Sequence, residues 1–174
     1  DMEELLKISD HIVFNSERQL RKYGPRCREA GISVGLRLNP QCSTQGDHAL
    51  YDPCAPGSRF GVTLDKIPSD LLDLVDGLHF HTLCEQGADD LETTLKAVEA
   101  QFGKWLNMGG GHHITREDYD VDLLISEIKR IRETYNLEVY IEPGEAIALN
   151  AGYLATEVLD IVENGMDILV LDAS

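Results

Sequence analysis

The chain is short of positive charge. Its 174 residues hold 15 Lys and Arg against 31 Asp and Glu, a formal net charge of −16. That deficit argues against nucleic acid or an anionic membrane surface as a partner, and it suits a cationic substrate. Also lacking is any apolar run long enough to span a bilayer, and no stretch reads as a signal peptide. Cys27, Cys42, Cys54 and Cys84 show no CxxC spacing, so they read as reduced thiols of a cytoplasmic protein. No GxGxxG follows a first strand, which makes a dinucleotide-binding fold the weaker choice.

What is present is an alternation. A short amphipathic helix over Met2 to Ile8 precedes a strand over His11 to Asn15. Ser16 and Gln19 then form a capping box that opens a helix, interrupted by Gly24-Pro25. Ile32 to Asn39 is the next strand, followed by a long loop, rich in Pro, Gly and Ser, from Pro40 to about Gly61. A helix over Pro68 to Val75, a strand over Leu78 to Leu83 and a helix over Asp89 to Phe102, stopped by Gly103, come next. The strand at Trp105 runs into Gly109-Gly110-Gly111, a helix covers Glu117 to Tyr135 with Thr115 and Asp118 as candidate caps, and a strand covers Glu138 to Glu142. Strand and helix recur at about 30-residue spacing, the period of βαβ units, which predicts an α/β fold with a parallel sheet, open or closed into a barrel. Ala155 to Val162 and Met166 to Leu171 read as a hairpin around Asn164-Gly165. A closed barrel needs eight strands. The expectation is therefore a partial (β/α)8 barrel over residues 1–150 and the first hairpin of a C-terminal β domain over 151–174, in a piece of a larger protein.

Alternation along each strand sorts residues to opposite faces. Val34, Leu36 and Leu38 oppose Gly35, Arg37 and Asn39; Leu78 and Phe80 oppose His79 and His81; Val139 and Ile141 oppose Tyr140 and Glu142. Arg37, His81, Asn107 and Glu142 thus converge near one rim, where several inward polar groups are costly unless they bind something. Three glycines at a strand end permit either a plain turn or backbone N–H groups facing an anion such as phosphate.

Ser58-Arg59-Phe60-Gly61, His79-Phe80-His81, Gly109-Gly110-Gly111 and Glu142-Pro143-Gly144, in that order, resemble the pyridoxal-phosphate-dependent decarboxylases of the alanine-racemase-like barrel fold. That group includes ornithine, diaminopimelate and carboxynorspermidine (carboxyspermidine) decarboxylases. Asn39-Pro40, Tyr51-Asp52-Pro53, His81-Thr82-Leu83-Cys84-Glu85, Gly111-His112-His113 and Glu142-Pro143-Gly144-Glu145-Ala146 look most like the last branch. The resemblance implies that His81 stacks on the cofactor ring and that Gly110 and Gly111 give N–H groups to its phosphate, with Gly144 and Arg37 nearby. It implies that Glu142 pairs with the pyridine nitrogen, making His81 and Glu142 the catalytic residues. Where related enzymes carry arginine after Glu-Pro-Gly this chain has Glu145, which points to an amine of a carboxylated polyamine substrate. Cys84-Glu85 also replaces a small Gly-Ser pair. Arg59 would lie towards a homodimer interface. The Schiff-base lysine and the cysteine donated across the dimer in that family match nothing in residues 1–174.

Two other readings compete. His79, His81, His112, His113 and Glu142 could be ligands of a metal-dependent hydrolase barrel, or the chain could be a non-catalytic carrier of pyridoxal phosphate.

Overall fold

A computed structural model describes residues 1–46, 52–99 and 103–173. Its elements are α1 (Met2–Ile8), β1 (His11–Phe14), α2 (Glu17–Glu29), β2 (Ser33–Asn39), β3 (Val62–Thr63), α3 (Ser69–Leu72), β4 (Gly77–His79), α4 (Ala88–Val98), β5 (Trp105–Asn107), α5 (Val121–Tyr135), β6 (Glu138–Tyr140), α6 (Gly144–Ala148), β7 (Val158–Glu163) and β8 (Asp167–Leu171). Strands β1, β2, β4, β5 and β6 lie side by side in that order, all parallel, and β3 adds to the C-terminal end of β2. The parallel α/β sheet is thus the one the alternation predicts.

The two faces separate as the residue pattern requires. Val34, Leu36, Leu38, Leu78 and Leu106 are buried against Leu20 and Cys27 of α2, Leu91 and Leu95 of α4, and Leu124 and Ile131 of α5. Each such aliphatic side chain taken out of water contributes about 1.5–3 kcal/mol. On the opposite face the Trp105 ring lies over two glycines: a Cβ on Gly77 would sit 1.9 Å from its Cδ2, and one on Gly35 2.3 Å from its Cη2. His11 and Tyr140 meet that ring edge-on.

Local expectations fare unevenly. One half of the capping box is present, with Ser16 accepting from Gln19 N at 3.3 Å; Gln19 Oε1 reaches one residue further back than the box requires and accepts from Asn15 N at 3.0 Å. Helix α2, however, is not interrupted at Gly24-Pro25. Pro25 is on the exposed side, where water takes up the carbonyl its ring leaves without a donor, while Gly24 is buried on the side that faces β2. Helix α5 begins at Val121 rather than Glu117, and its cap is Asp120, which accepts from Leu123 N at 2.8 Å. Neither Thr115 nor Asp118 is the cap, because residues 113–119 turn twice (Arg116 N to His113 O, Tyr119 N to Arg116 O) and bury Tyr119. The helix expected from Pro68 to Val75 is helical only over Ser69–Leu72, and α4 ends at Val98 with residues 100–102 outside those described. Residues 47–51 of the long loop, Tyr51 among them, are also outside them.

The hairpin forms as its Asn-Gly signal predicts. β7 and β8 pair antiparallel, Asn164 N donates to Met166 O at 3.0 Å, and Gly165 takes φ +71°. Every residue from 144 to 173 is exposed.

Candidate active site

The polar side chains collect at the C-terminal ends of the strands, the edge at which parallel α/β sheets bind ligands. Strands β4 and β6 end earlier than the sequence suggests, at His79 and Tyr140. His81 and Glu142 therefore sit on loops just past the ladder. Those loops remain tied to it: Phe80 N donates to Asn107 O at 3.0 Å, Met108 N to Tyr140 O at 2.9 Å, and Glu142 N to Gly109 O at 2.8 Å.

The glycine triplet is shaped by what surrounds it. Gly109 and Gly111 have φ of +68° and +82°, values costly for any other residue. A Cβ on Gly109 would stand 2.3 Å from Phe80 O, one on Gly110 2.9 Å from Glu142 O, and one on Gly111 2.1 Å from Leu83 O. A plain flexible turn needs none of this crowding. Gly109 N donates to Asn107 Oδ1 at 2.9 Å, and Gly110 N reaches His81 Nδ1 at 3.4 Å.

Glu142 is the meeting point. Its Oε1 accepts from Asn107 Nδ2 at 2.8 Å and lies 3.6 Å from His79 Nε2. Arg37 Nη2 reaches His81 O at 3.5 Å, and its guanidinium lies 4.6 Å over the Phe60 ring. Burial first, then the neighbouring Arg37, holds His81 below the ordinary imidazole range; burial lowers Arg37 as well, against the opposing pull of Glu142. Burial acts more strongly on His79, which is pushed down to about 4. Both imidazoles are thus neutral at pH 7 beside a carboxylate and a guanidinium.

Beside this group opens a cleft of about 340 Å³ lined by His81, Gly111, His112, Glu142, Glu85 and Glu145. Glu145 Oε1 accepts from Thr115 Oγ1 at 2.8 Å, and its Oε2 lies 3.4 Å from His113 Nε2. Gly144 lines the cleft too, but its N–H donates to Glu142 O at 2.9 Å, so what it offers there is the absence of a side chain. Glu85 stands at φ +54°. His112 is 4% exposed, and burial, opposed by the Met108 and Gly109 backbone, holds it below the ordinary imidazole range.

Arg37, His81, Gly110, Gly111 and Glu142, singled out from the sequence, are therefore brought together, with Glu145 and Gly144 on the adjoining wall. Arg59 stands apart from the cleft, with its guanidinium 5.1 Å from the Phe60 ring and its carbonyl accepting from Asn15 Nδ2. The closeness of His79 to Glu142 is what the metal-ligand reading supposes, and strand alternation places His79 on the polar face. One donor atom each from His79, His81 and Glu142 lie within 4.8 Å of one another. Arg37 beside them and the Asn107 donor on Glu142 make this a poor seat for a cation.

A parallel α/β sheet carries a crowded glycine turn, a facing imidazole and a carboxylate together at its carboxyl edge. The chain is 42% identical over 177 residues to a carboxynorspermidine/carboxyspermidine decarboxylase of Campylobacter jejuni, which covers 98% of this chain and 46% of that protein. It is 37% identical over 171 residues to a carboxyaminopropylagmatine decarboxylase of Synechocystis, covering 94% of this chain and 44% of that protein. The crystal structure of a carboxynorspermidine decarboxylase from Campylobacter jejuni complexed with norspermidine superposes with a TM-score of 0.76 at 39% identity, over 100% of this chain and 46% of that one. No family model matches. The chain is a relative, in sequence and fold, of the carboxynorspermidine/carboxyspermidine decarboxylases, and it spans about half the length of the curated relatives it matches.

Proposed function

We propose that the full-length protein is a homodimeric, cytoplasmic decarboxylase that uses pyridoxal phosphate to convert a carboxylated polyamine, carboxynorspermidine or carboxyspermidine, to norspermidine or spermidine. The observation that carries this reading is the convergence of three crowded glycines, His81 and Glu142 at one edge of the sheet. The residues fit a phosphorylated pyridine. The missing side chains let the turn pack against the Phe80, Leu83 and Glu142 carbonyls, and Gly110 and Gly111 line the same cleft as a carboxylate already held on one oxygen. His81, neutral, presents an uncharged face for stacking on the ring.

When bound, the cofactor supplies an electron sink for the pair left behind as CO2 departs. Gly110 and Gly111 approach the phosphate through backbone alone. Glu142 accepts a hydrogen bond from the pyridine nitrogen and favours its protonated state. Arg37 balances the negative charge of Glu142. Glu145, ordered by Thr115 and His113, binds a substrate ammonium, and Glu85 on the same cleft adds negative potential for a polycation. The overall charge of −16 favours such a substrate at long range. Relatives named for carboxynorspermidine, carboxyspermidine and carboxyaminopropylagmatine support an elongated carboxylated amine.

The test is CO2 release by the purified full-length protein supplied with pyridoxal phosphate. Release from carboxynorspermidine or carboxyspermidine, with ornithine inert, is the expected result. Activity on ornithine alone overturns the substrate, and a stoichiometric zinc ion with no pyridoxal absorption overturns the chemistry.

A further inference from the structure

A residue that the proposed function leaves unused lies beside Glu142. His79 ends β4 on the inner face and is only 8% exposed. Its Nε2 stands 3.6 Å from Glu142 Oε1, the same oxygen that accepts from Asn107 Nδ2 at 2.8 Å. Its Nδ1 is buried and has no hydrogen-bond partner among the described residues. The orientation of Asn107 is itself fixed, because its Oδ1 accepts from Gly109 N at 2.9 Å.

These contacts locate the imidazole proton. With the proton on Nδ1, a buried N–H would lack an acceptor and the Nε2 lone pair would face a carboxylate oxygen, both unfavourable. With it on Nε2, the positive end of the N–H dipole faces the carboxylate oxygen across 3.6 Å, an electrostatic contact longer than a hydrogen bond, and only a lone pair is left in the interior. A doubly protonated ring would retain the unpaired Nδ1–H and carry charge beside Arg37.

We propose that His79 is a positioning residue for Glu142: as the neutral Nε2–H tautomer it joins Asn107 in loading Oε1, which leaves Oε2 as the oxygen that meets the cofactor's ring N–H. The last step rests on the proposed pyridoxal chemistry; the tautomer and its contact with Glu142 do not. Nothing is transferred in the resting arrangement. His79 and Asn107 fix which carboxylate oxygen is available and in which direction it points.

Nitrogen-edited NMR of the imidazoles in the full-length protein, freed of cofactor, tests the first part at pH 7. The expected result is the Nε2–H tautomer for His79, with its Nε2 signal displaced in Glu142→Gln. An Nδ1–H tautomer, or signals unmoved in Glu142→Gln, overturns the proposal even where cofactor binds well. Absorption titration of the loaded protein tests the second part. His79→Gln, which keeps an N–H at the Nε2 position, retains the wild-type pH midpoint for ring-nitrogen protonation, and His79→Leu lowers it by about one unit. An unchanged midpoint in His79→Leu, or equal shifts in both variants, overturns it. If no cofactor binds at all, the pyridoxal reading fails while the NMR result still decides the role of His79.

Discussion

The two ends of the same five strands are built on opposite plans. At the N-terminal end prominent polar groups answer one another. Trp105 Nε1 donates to Ser33 Oγ at 2.8 Å, Asp76 Oδ2 accepts from Val34 N at 3.0 Å, and Lys104 Nζ meets Asp76 Oδ1 at 2.9 Å. At the C-terminal end the groups are gathered but not closed. His79 Nδ1 is buried without a partner among the described residues, and Glu142 keeps half its side chain exposed at 48%. The two ends share one strand register, so the difference lies in the side chains and in the glycine-bent loops that follow the strands. Paired polar groups secure a sheet. Converging, incompletely paired ones have a cost that a ligand must offset.

Substitutions at the two ends should therefore fail differently. On the proposed chemistry Glu142→Gln removes the charge that favours a protonated pyridine, and kcat/KM on carboxynorspermidine should fall by roughly 100- to 1,000-fold with the melting temperature within a degree or two of wild type. Equal losses of activity and stability would erase the distinction between the ends. Acid should act through His79, whose neighbours are Glu142, Arg37 and His81. Its folded-state value of about 4 lies below the ordinary 6.5, so its contribution to stability is complete above pH 6.5 and disappears as pH falls towards 4. That amounts to up to about 3 kcal/mol, and denaturant melts across this range should be flatter for His79→Gln.

Gly77→Ala sharpens the contrast from the other end. A Cβ 1.9 Å from Trp105 should cost about 2–3 kcal/mol in unfolding free energy, while the folded fraction still binds cofactor with wild-type affinity. The smallest effect is that of Glu145→Gln, which should raise KM for the polyamine about 10-fold with kcat little changed if, as proposed, its contact is with a remote substrate ammonium. Steady-state kinetics checks it, and a loss confined to kcat would place Glu145 at the reacting centre instead.

Much of this was legible in the residue order. The period-two alternation in Val34 to Asn39 assigned Arg37 to the inner face and its neighbours to the core, and Gly109-Gly110-Gly111 marked the crowded turn. Less visible were features set by neighbours distant in sequence. That Pro25 could ride through a helix depended on which side of α2 faced solvent. The start of α5 at Val121 depended on the burial of Tyr119 and on Thr115 serving Glu145 from 30 residues away. The approach of His79 to Glu142 spans β4, β5 and β6, a register that no single stretch encodes.

The most direct measurement is an absorbance titration of the full-length protein with pyridoxal phosphate and, in parallel, with pyridoxal, for wild type and Gly111→Ala. Saturable binding of the phosphorylated form at least about 10-fold tighter than pyridoxal is predicted, with that advantage abolished by a Cβ 2.1 Å from Leu83 O. Equal affinity for the two ligands in the wild-type protein, or a phosphate preference untouched by Gly111→Ala, would contradict a phosphate cradle at this edge of the sheet.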